Sequence, residues 1–344
     1  TKNKNDDIII TTVGSWPSNT NSVVGKVVKA QKEVEGSLLN QNAVRVRGLN
    51  IIDQKYVFYL LKDRSFYDYI IGTAQGAANQ ASITQNDIKS FIFKLPPFEE
   101  QKAIAKTLSC LDDKIELNNR INKTLEEMAQ AIFKSWFVDF EPFQDGEFED
   151  SELGRIPKGW RVVELSDIAT FIKGKKPKDL EIKPCDIAST PYLTIDVLNG
   201  GLSQYADSGK MVLAEKLDIL MVMDGASSGT VYYGFDGIVA STLAKYKVEN
   251  EDLLEIVYQY LKFHEDDIKS HNTGSAIPHT DKGFVSKNKV LIPDDESKKT
   301  VTEMFKRIRS IIIENKFQNQ RLNKTRNTLL PKLMSGEIRV SLEN

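Results

Sequence analysis

The sequence predicts an α+β protein in which two mixed α/β regions alternate with two long helices. The first observation behind this prediction is an internal repeat with a period of about 197 residues. The second is a heptad pattern of apolar residues in each copy of the repeat. The third is the length of 344 residues, which is enough for two domains.

The repeat is clearest where each long helix is predicted to begin. The segment "LPPFEEQ" at 95–101 has a counterpart in "LIPDDES" at 291–297, and both place a proline shortly before two acids. Proline in the first turn followed by carboxylates is typical of a helix start. Upstream, "DIIITTVG" at 7–14 matches "DILMVMDG" at 218–225, each an acid, a strand-like apolar run and a glycine turn.

The two predicted helices carry apolar residues at alternating spacings of four and three, which indicates a heptad seam. The seam residues are Ile104, Leu108, Leu111, Ile115, Leu125, Ala129, Ile132 and Trp136, then Val301, Phe305, Ile308, Ile312, Leu322 and Leu329. Asparagines interrupt the seams at equal depth, at Asn118, Asn122, Asn315 and Asn319. A buried asparagine weakens a seam but fixes its register. The alternative is that these amides face solvent in a loose bundle, and Pro331 is expected to end the second helix.

Composition excludes several classes of protein. The chain is 40% hydrophobic and 27% charged, as in ordinary globular proteins, and it has neither an apolar run of membrane-spanning length nor a signal-peptide pattern. Two isolated cysteines, Cys110 and Cys185, favour a cytoplasmic protein without disulfides. Three histidines leave little material for a metal centre, and a net charge of −2 argues against a stand-alone nucleic-acid binder.

Catalytic motifs are weak or absent. "GASSG" at 225–229 fits the G-x-S-x-G elbow of hydrolases, and three histidines follow it, but the matching turn "GSWPS" at 14–18 lacks the pattern. The sequence contains no P-loop. "LPPF" at 95–98 has leucine where an adenine methyltransferase motif needs an acid or asparagine. We therefore expect a chain that is not itself an enzyme.

Three segments carry a family resemblance. They are "LPPFEEQKAIAKTLSCLDDKIELNNRINKTLEEMAQAIFKSWFVDFEP" (95–142), "ELGRIPKGWRVVELSDIATFIKGKKP" (152–177) and "LNKTRNTLLPKLMSGEI" (322–338). In this order they resemble the specificity (S) subunit of type I restriction-modification systems. The resemblance implies two target recognition domains, each reading half of a split DNA sequence. It also implies that the two long helices pair as an antiparallel coiled coil.

The resemblance also implies a division of the chain. The first recognition domain has six residues before its apolar strand, where the second has about 65, so we expect the N-terminal part of the first to be missing. The segment 139–154 has seven acids and no base, which predicts a solvated linker. The expected parts are a first recognition domain at 1–94, a first spacer helix at 95–140, an acidic linker at 141–152, a second recognition domain at 153–292, and a second spacer helix with a C-terminal tail at 293–344.

By the same resemblance, the chain is a non-catalytic DNA-reading subunit in a bacterial or archaeal cytoplasm. It would position adenine-N6 methyltransferase (M) subunits, expected to number two, and through them the restriction (R) subunits. S-adenosylmethionine would bind the methyltransferase partner, ATP and Mg the restriction partner, and no cofactor or metal this chain. M subunits beside the DNA would explain why the chain is not basic. The alternative is a coiled-coil scaffold that binds proteins, for which the aromatic cluster Trp136, Phe137, Phe140 and Phe143 is suited unless it packs under the linker.

Candidate DNA contacts are polar residues on loops and turns, because base readout needs donors and acceptors and phosphates need lysine, arginine or backbone amides. "KGKKPK" at 173–178 is a candidate phosphate loop, and the polar loops 72–84 and 270–283 are candidate base readers. Each could instead be an ordinary solvated loop. The candidates are Ser15, Trp16, Asn19, Arg45, Arg47, Gln75, Asn79 and Gln80 in the first region, and Lys173, Lys175, Lys176, Lys178, Ser227, Ser228, Thr230, Thr273, Ser275, His279 and Lys282 in the second.

Overall fold

The fold is described by a computed structural model of the chain. The described residues are 2–16, 23–77, 79–201, 203–274 and 276–340. Two candidate DNA contacts, Asn19 and Ser275, lie outside the described residues. Within the described residues, no helix is long and apolar enough to cross a bilayer.

The first mixed region contains short strands and three helices before the first long helix. The strands are β1 (Ile8–Thr11), β2 (Val13–Gly14), β3 (Val27–Lys29), β4 (Ala43–Val46), β5 (Gln75–Ala77) and β6 (Gln80–Ser82). The helices are α1 (Gln54–Lys62), α2 (Arg64–Thr73) and α3 (Gln85–Lys89). One antiparallel sheet has the order β3-β1-β4, and a smaller antiparallel sheet has the order β2-β6-β5.

The first long helix, α4, spans Phe98–Phe137 and begins directly after Pro97, as the sequence predicts. The side chain of Gln101 fixes this start, because its carbonyl accepts from the Asp53 amide at 2.9 Å and its amide donates to the Pro96 carbonyl at 2.9 Å. The beginning of α4 is therefore tied to the residue that caps α1, where the Asp53 carboxylate accepts from the Tyr56 amide.

The second mixed region is larger and contains four separate sheets. Its strands are β7 (Phe148–Ser151), β8 (Gly154–Pro157), β9 (Arg161–Glu164), β10 (Ala169–Lys173), β11 (Thr190–Leu193), β12 (Gln204–Ala206), β13 (Leu213–Ala214), β14 (Ile219–Val222), β15 (Val231–Tyr233), β16 (Gly237–Val239), β17 (Leu243–Val248) and β18 (Lys289–Ile292). Its helices are α5 (Leu165–Ile168), α6 (Ile195–Leu198), α7 (Leu254–Phe263), α8 (Glu265–Ser270) and α9 (Lys282–Lys287). The sheet orders are β10-β17-β14-β15, β12-β11-β16-β13, β18-β9 and β7-β8, with β11–β16 the parallel pair.

The second long helix, α10, spans Asp295–Ser335. The Asp294 carboxylate caps it by accepting from the backbone amides of Glu296 at 3.1 Å and Ser297 at 3.0 Å. The expectation that Pro331 ends this helix is wrong, because the helix continues past Pro331 to Ser335. Leu333, two residues beyond the proline, is 4% exposed in an apolar core, and this burial offsets the hydrogen bond that proline removes.

The chain divides into two compact units. Unit 1 comprises Thr1–Arg120 and Asn315–Asn344, and unit 2 comprises Ile121–Glu314. Each unit therefore contains one mixed region, part of α4 and part of α10. In each unit the two helix parts run antiparallel: contacts join Asp112 to Arg326 and Asn118 to Asn319 in unit 1, and unit 2 shows the same direction.

The core of unit 1 joins the first mixed region to the helices. Ile8 and Ile10 of β1 are fully buried while Ile9 between them is not, as the alternation of a half-buried strand requires. Leu108 of α4 is fully buried in the same core, which Leu333 of α10 also enters. Burial of these helix residues joins the first mixed region to the long helices.

The core of unit 2 absorbs the aromatic cluster at the end of α4. The Phe137, Phe140 and Phe143 rings all lie on Trp160, with centroids 5.4, 5.8 and 5.1 Å away. Trp136 packs on Phe143 at 5.2 Å. These aromatics pack inside unit 2. This agrees with the interpretation that the cluster packs under the segment that follows α4.

The acidic segment that follows α4 is ordered over part of its length. β7 pairs antiparallel with β8, placing Phe148 opposite Pro157. Phe148 anchors the hairpin, because its ring meets Phe140 at 6.0 Å and the Arg155 guanidinium at 5.7 Å. The acids of β7 between Phe148 and Ser151 are exposed, so a strand forms here despite the linker-like composition.

Candidate nucleic-acid interface and helix seam

In unit 1 the polar loop after α2 folds as the β5–β6 hairpin beside β2. Gln75, Asn79 and Gln80 are all exposed on this hairpin. The Trp16 indole nitrogen donates to the Ala77 carbonyl at 3.0 Å, which brings the turn after β2 against the hairpin. Four candidate contacts from two separate segments therefore share one surface.

A fifth candidate in unit 1, Ser15, forms a parallel bridge with Val23 next to the same turn. The hairpin depends on Gly76, because a Cβ there would lie 2.0 Å from the Gln80 carbonyl oxygen. Only glycine allows this approach of the two strands.

Arg45 and Arg47 are engaged elsewhere. Arg47 donates to both carboxylate oxygens of Asp7, at 2.5 and 2.7 Å, and Arg45 lies 3.7 Å from the same carboxylate. The Arg47 hydrogen bond holds the pKa of Asp7, which is 3% exposed, below its ordinary value. Both guanidinium groups that we expected on DNA thus contact one internal carboxylate, which ties β4 to the start of β1 and offsets one of their two charges.

In unit 2 three segments converge on Asp224, which lies two residues after the end of β14 and next to the glycine of the turn. The Asp224 carboxylate lies 2.8 Å from His279 Nδ1 and 3.0 Å from Lys173 Nζ. Burial raises the pKa of Asp224, but the hydrogen bonds from His279 and Lys173 outweigh it and hold the pKa below its ordinary value. A carboxylate that we did not single out therefore gathers two of the predicted contacts.

The backbone holds the 270–283 loop in the same place. Thr273 and His279 pair through amide–carbonyl bonds of 2.8 and 2.7 Å, and the Thr280 amide donates to the Met223 carbonyl at 2.9 Å. Thr273 and His279 keep exposed side chains, whereas Thr280 is buried and donates its hydroxyl to the Val222 carbonyl. The loop is thus fixed at its base with polar groups at its surface.

The serines after β14 serve different purposes. The Ser228 hydroxyl is buried, 2.7 Å from the Gly225 carbonyl and 2.8 Å from the Pro278 carbonyl, so it joins the turn to the loop. Ser227 and Thr230 are partly exposed. Among the described residues, no histidine nitrogen lies within hydrogen-bonding distance of the Ser227 or Ser228 hydroxyl, so the nucleophile–base contact of a hydrolase is not formed.

The lysine segment after β10 presents its charges to solvent. Lys175, Lys176 and Lys178 are exposed and form no ion pair with any other described residue. Gly174 sets the path of the segment, because a Cβ there would lie 2.2 Å from the Ala240 carbonyl oxygen. Lys282 lies 4.9 Å from the Phe171 ring centroid, on the strand that leads into this segment.

The seam asparagines meet across the long helices. In unit 1 Asn118 is fully buried and donates to Asn319 at 2.8 Å and to Gln318 at 2.7 Å, and Asn319 donates to Asn119 at 2.8 Å. Asn315, also in unit 1, is half-buried, and in unit 2 Asn122 donates to the Ile312 carbonyl at 3.4 Å. Asn118 and Asn319 do not face solvent, which overturns the alternative of a loose bundle at this point.

Unit 2 also contains a buried charge cluster that the sequence did not suggest. Arg309 of α10 lies between the Tyr233 and Tyr258 rings, 4.1 and 4.0 Å from their centroids, and donates to Glu126 of α4 at 3.0 Å. The nearby Glu255 accepts from the Tyr233 hydroxyl at 3.0 Å. Burial raises the pKa of Glu255, while the charge of Arg309 opposes this rise.

The sequence matches one family model and several proteins whose families are known. The family model described as "Type I restriction modification DNA specificity domain" matches residues 1–127 and 157–324. The chain is 29% identical over 302 residues to the type I restriction enzyme MjaIX specificity subunit of Methanocaldococcus jannaschii, covering 83% of this chain and 69% of that protein. It is 25% identical over 375 aligned positions to the type I restriction enzyme HindI specificity subunit of Haemophilus influenzae, covering 84% and 78%.

Among solved structures, the fold is similar to the crystal structure of the type I restriction-modification system S subunit from M. genitalium. The TM-score is 0.54 at 20% sequence identity, covering 97% of this chain and 84% of that chain. This similarity and the paired long helices confirm the predicted fold class.

Proposed function

Because the chain belongs to the family of type I restriction-modification DNA specificity domains, we propose that it reads a bipartite DNA target with two recognition domains. One observation supports two readers in particular. In each unit, a residue near the end of the polar loop donates its amide to the strand-end turn: Ile83 to the Thr12 carbonyl and Thr280 to the Met223 carbonyl, both at 2.9 Å. A polar loop held at the end of a strand is thus built twice in one chain.

We assign direct contact with bases to the exposed and partly exposed polar side chains of these two surfaces. They are Ser15, Trp16, Gln75, Asn79 and Gln80 in unit 1, and Ser227, Thr230, Thr273, His279 and Lys282 in unit 2. Glutamine and asparagine suit adenine in the major groove, and His279 is held in place by Asp224. We do not assign base contacts to Arg45 and Arg47, because both side chains are directed to the Asp7 carboxylate, and we propose that Ser228 acts through the fold of the turn.

Methylation and cleavage would be carried out by partner chains in the cytoplasm of a bacterium or archaeon. We propose that the chain positions two adenine-N6 methyltransferase subunits, which bind S-adenosylmethionine. Through them it would recruit restriction subunits that use ATP and Mg.

The experiment that tests this function is a map of methylated adenines in DNA from cells that carry the chain with its methyltransferase. We expect methylation in a split motif with two specified halves and an unspecified spacer, because each recognition domain reads one half. Methylation in one continuous motif would contradict the two-reader proposal. Methyltransferase binding without sequence-dependent methylation would support the scaffold alternative instead.

A second test concerns the lysine segment. Replacing Lys175, Lys176 and Lys178 by alanine is expected to weaken DNA binding equally on cognate and unrelated duplexes, because phosphate contacts carry no sequence information. Each phosphate contact adds about 0.9 to the slope of log affinity against log salt, so the slope should fall by about 2.7 in the assembled complex. The measurement is fluorescence anisotropy over a range of salt concentrations.

The control for this test removes the same charge from the long helix, with Lys106, Lys114 and Lys123 of α4 replaced by alanine. These side chains are also exposed. We expect the control to keep the parental salt slope. An unchanged slope in the Lys175, Lys176 and Lys178 variant would remove that segment from the interface.

A further inference from the structure

The two long helices are joined by two ion pairs at corresponding depths of the repeat. In unit 1, Asp112 of α4 pairs with Arg326 of α10 at 2.5 Å. In unit 2, Glu126 of α4 pairs with Arg309 of α10 at 3.0 Å. The acid is on α4 and the base is on α10 in both pairs.

The internal repeat shows which residues of α4 correspond to which residues of α10, so the charges at corresponding positions can be compared. In the first half of each helix, α4 residues match α10 residues 197 positions later, so that Ile104 matches Val301 and Leu108 matches Phe305, all four of them buried. The next seam residues, Leu111 and Ile308, match at the same offset, and beside them Asp112 matches Arg309. The matched seam positions are apolar in both helices, whereas the matched charged position is acidic in α4 and basic in α10.

In the second half of each helix an offset of 200 residues relates the buried and charged positions, one less than the offset of 201 between the two copies of "NKT" at 122–124 and 323–325. Phe133 of α4 then matches Leu333 of α10, and both are buried in the core of their own unit. Glu126 matches Arg326 at the same offset. Both ion pairs are therefore one repeated contact, formed twice with the charges exchanged.

Each ion pair is also connected to its own recognition domain. The Tyr59 hydroxyl donates to Asp112 at 2.7 Å, and the Tyr258 hydroxyl lies 3.4 Å from Glu126. The Arg309 side chain is only 3% exposed, and the side chains of Asp112 and Arg326 are 28% and 21% exposed. Charges in such sites are screened less than charges on an open surface, so a wrong pairing is costly.

We propose that these charges make helix pairing heterotypic: α4 accepts an α10-type helix and rejects a second copy of itself. In an antiparallel pair of two α4 helices, Asp112 of each copy would face Glu126 of the other. In a pair of two α10 helices, Arg309 would face Arg326. The apolar seam cannot make this distinction, because its matched positions are apolar in both helices, so the like charges prevent two chains from exchanging helices into homotypic pairs.

A cysteine reporter in the full chain detects homotypic pairing directly. Asn119 accepts from Asn319, the residue 200 positions later, so in a pair of two α4 helices Asn119 would meet Asn119 of the other chain. The reporter chain carries Asn119→Cys together with Cys110→Ser and Cys185→Ser, which remove the two natural, exposed thiols. In the normal pairing the introduced thiol faces an asparagine, so a disulfide-linked dimer reports α4–α4 contact only.

The test compares yields of this dimer after unfolding in urea and refolding under mild oxidation. In the reporter chain, Asp112→Arg with Arg326→Glu keeps an attractive pair within one chain but makes both homotypic contacts attractive. We expect at least about a tenfold higher dimer yield than in the parent reporter chain. Asp112→Asn with Arg326→Gln, which removes the like charges and keeps a polar side chain at both positions, should give an intermediate yield.

The matched control is Lys123→Glu with Glu127→Lys, which reverses an exposed pair 3.9 Å apart along α4. We expect the parental yield from it. Equal dimer yields in all four proteins, or an equal rise in the control, would overturn the proposal. The neutral variant keeps the test decisive if the charge-reversed chain does not refold, because a parental yield from the neutral variant alone would also overturn it.

Discussion

Replacing Arg309 by methionine is expected to lower the free energy of unfolding of unit 2 by about 3–5 kcal/mol. Arg309 lies between two tyrosine rings and contacts both Glu126 and Glu255. Methionine fills a similar volume but leaves Glu255, which is 2% exposed, without its positive partner. The cost arises mainly from this uncompensated buried carboxylate rather than from lost packing.

The loss of unfolding free energy caused by Arg309→Met should depend on pH. Burial raises the pKa of Glu255 and Arg309 lowers it, so removing Arg309 raises this pKa further. A group whose pKa is higher in the folded state than in the unfolded state stabilises the fold while it is protonated, and this contribution disappears as the pH rises through the folded-state pKa. The difference in unfolding free energy between the Arg309→Met variant and the parent should therefore be smallest in acid and largest at neutral pH and above.

Urea unfolding followed by tryptophan fluorescence measures this effect. In a Trp16→Phe background the remaining tryptophans, Trp136 and Trp160, both lie in unit 2. Arg307→Met is the matched control, because Arg307 is exposed on the same helix and should give a change within about 0.5 kcal/mol. Adding Glu255→Gln to Arg309→Met should recover part of the loss, and a purely additive double variant would contradict the buried-charge explanation.

Lengthening both long helices by one heptad is expected to lengthen the spacer of the methylated motif by about 3 base pairs. Seven residues add about 10 Å of helix, and base pairs are spaced about 3.4 Å apart. Insertions after Asn119 and after Gln318 keep the Asn119–Asn319 bond on one side and the Asn122–Ile312 bond on the other. This prediction rests on the proposed function, in which the paired helices set the separation of the two readers.

The methylated-adenine map of cells carrying the lengthened chain measures the spacer. An insertion in α4 alone is the control, since it displaces every contact on one side of the insertion relative to α10 and should abolish methylation. A lengthened pair that methylates the original motif with its original spacing would refute the separation argument.

The sequence predicted those parts of the fold that depend on local patterns. Proline followed by acids located both helix starts, and the period of the apolar residues located the seams and their asparagines. The strand-and-turn motifs at 7–14 and 218–225 were found because the repeat presents them twice. The polar loops were recognised by composition, and the structure brings each of them beside its strand-end turn.

Features that depend on distant partners were not predictable. Arg47 and Asp7 are 40 residues apart, so only the β1–β4 pairing shows that the arginine is neutralised. Asp224 and His279 are 55 residues apart, so the anchor of the loop appears only in the folded chain. The helix continues through Pro331 because tertiary burial of Leu333 outweighs a local preference.

The aromatic cluster at the end of α4 bears on how hybrid chains should be made. Phe133 and Phe137 of α4 share a core with Trp160, and Val301 and Phe305 of α10 enter it as well. A graft that transplants only the segment between the long helices would place a foreign domain on side chains shaped for another surface. Donor sequence should therefore carry its own flanking helical turns, with both junctions at the polar Asn118–Asn319 layer.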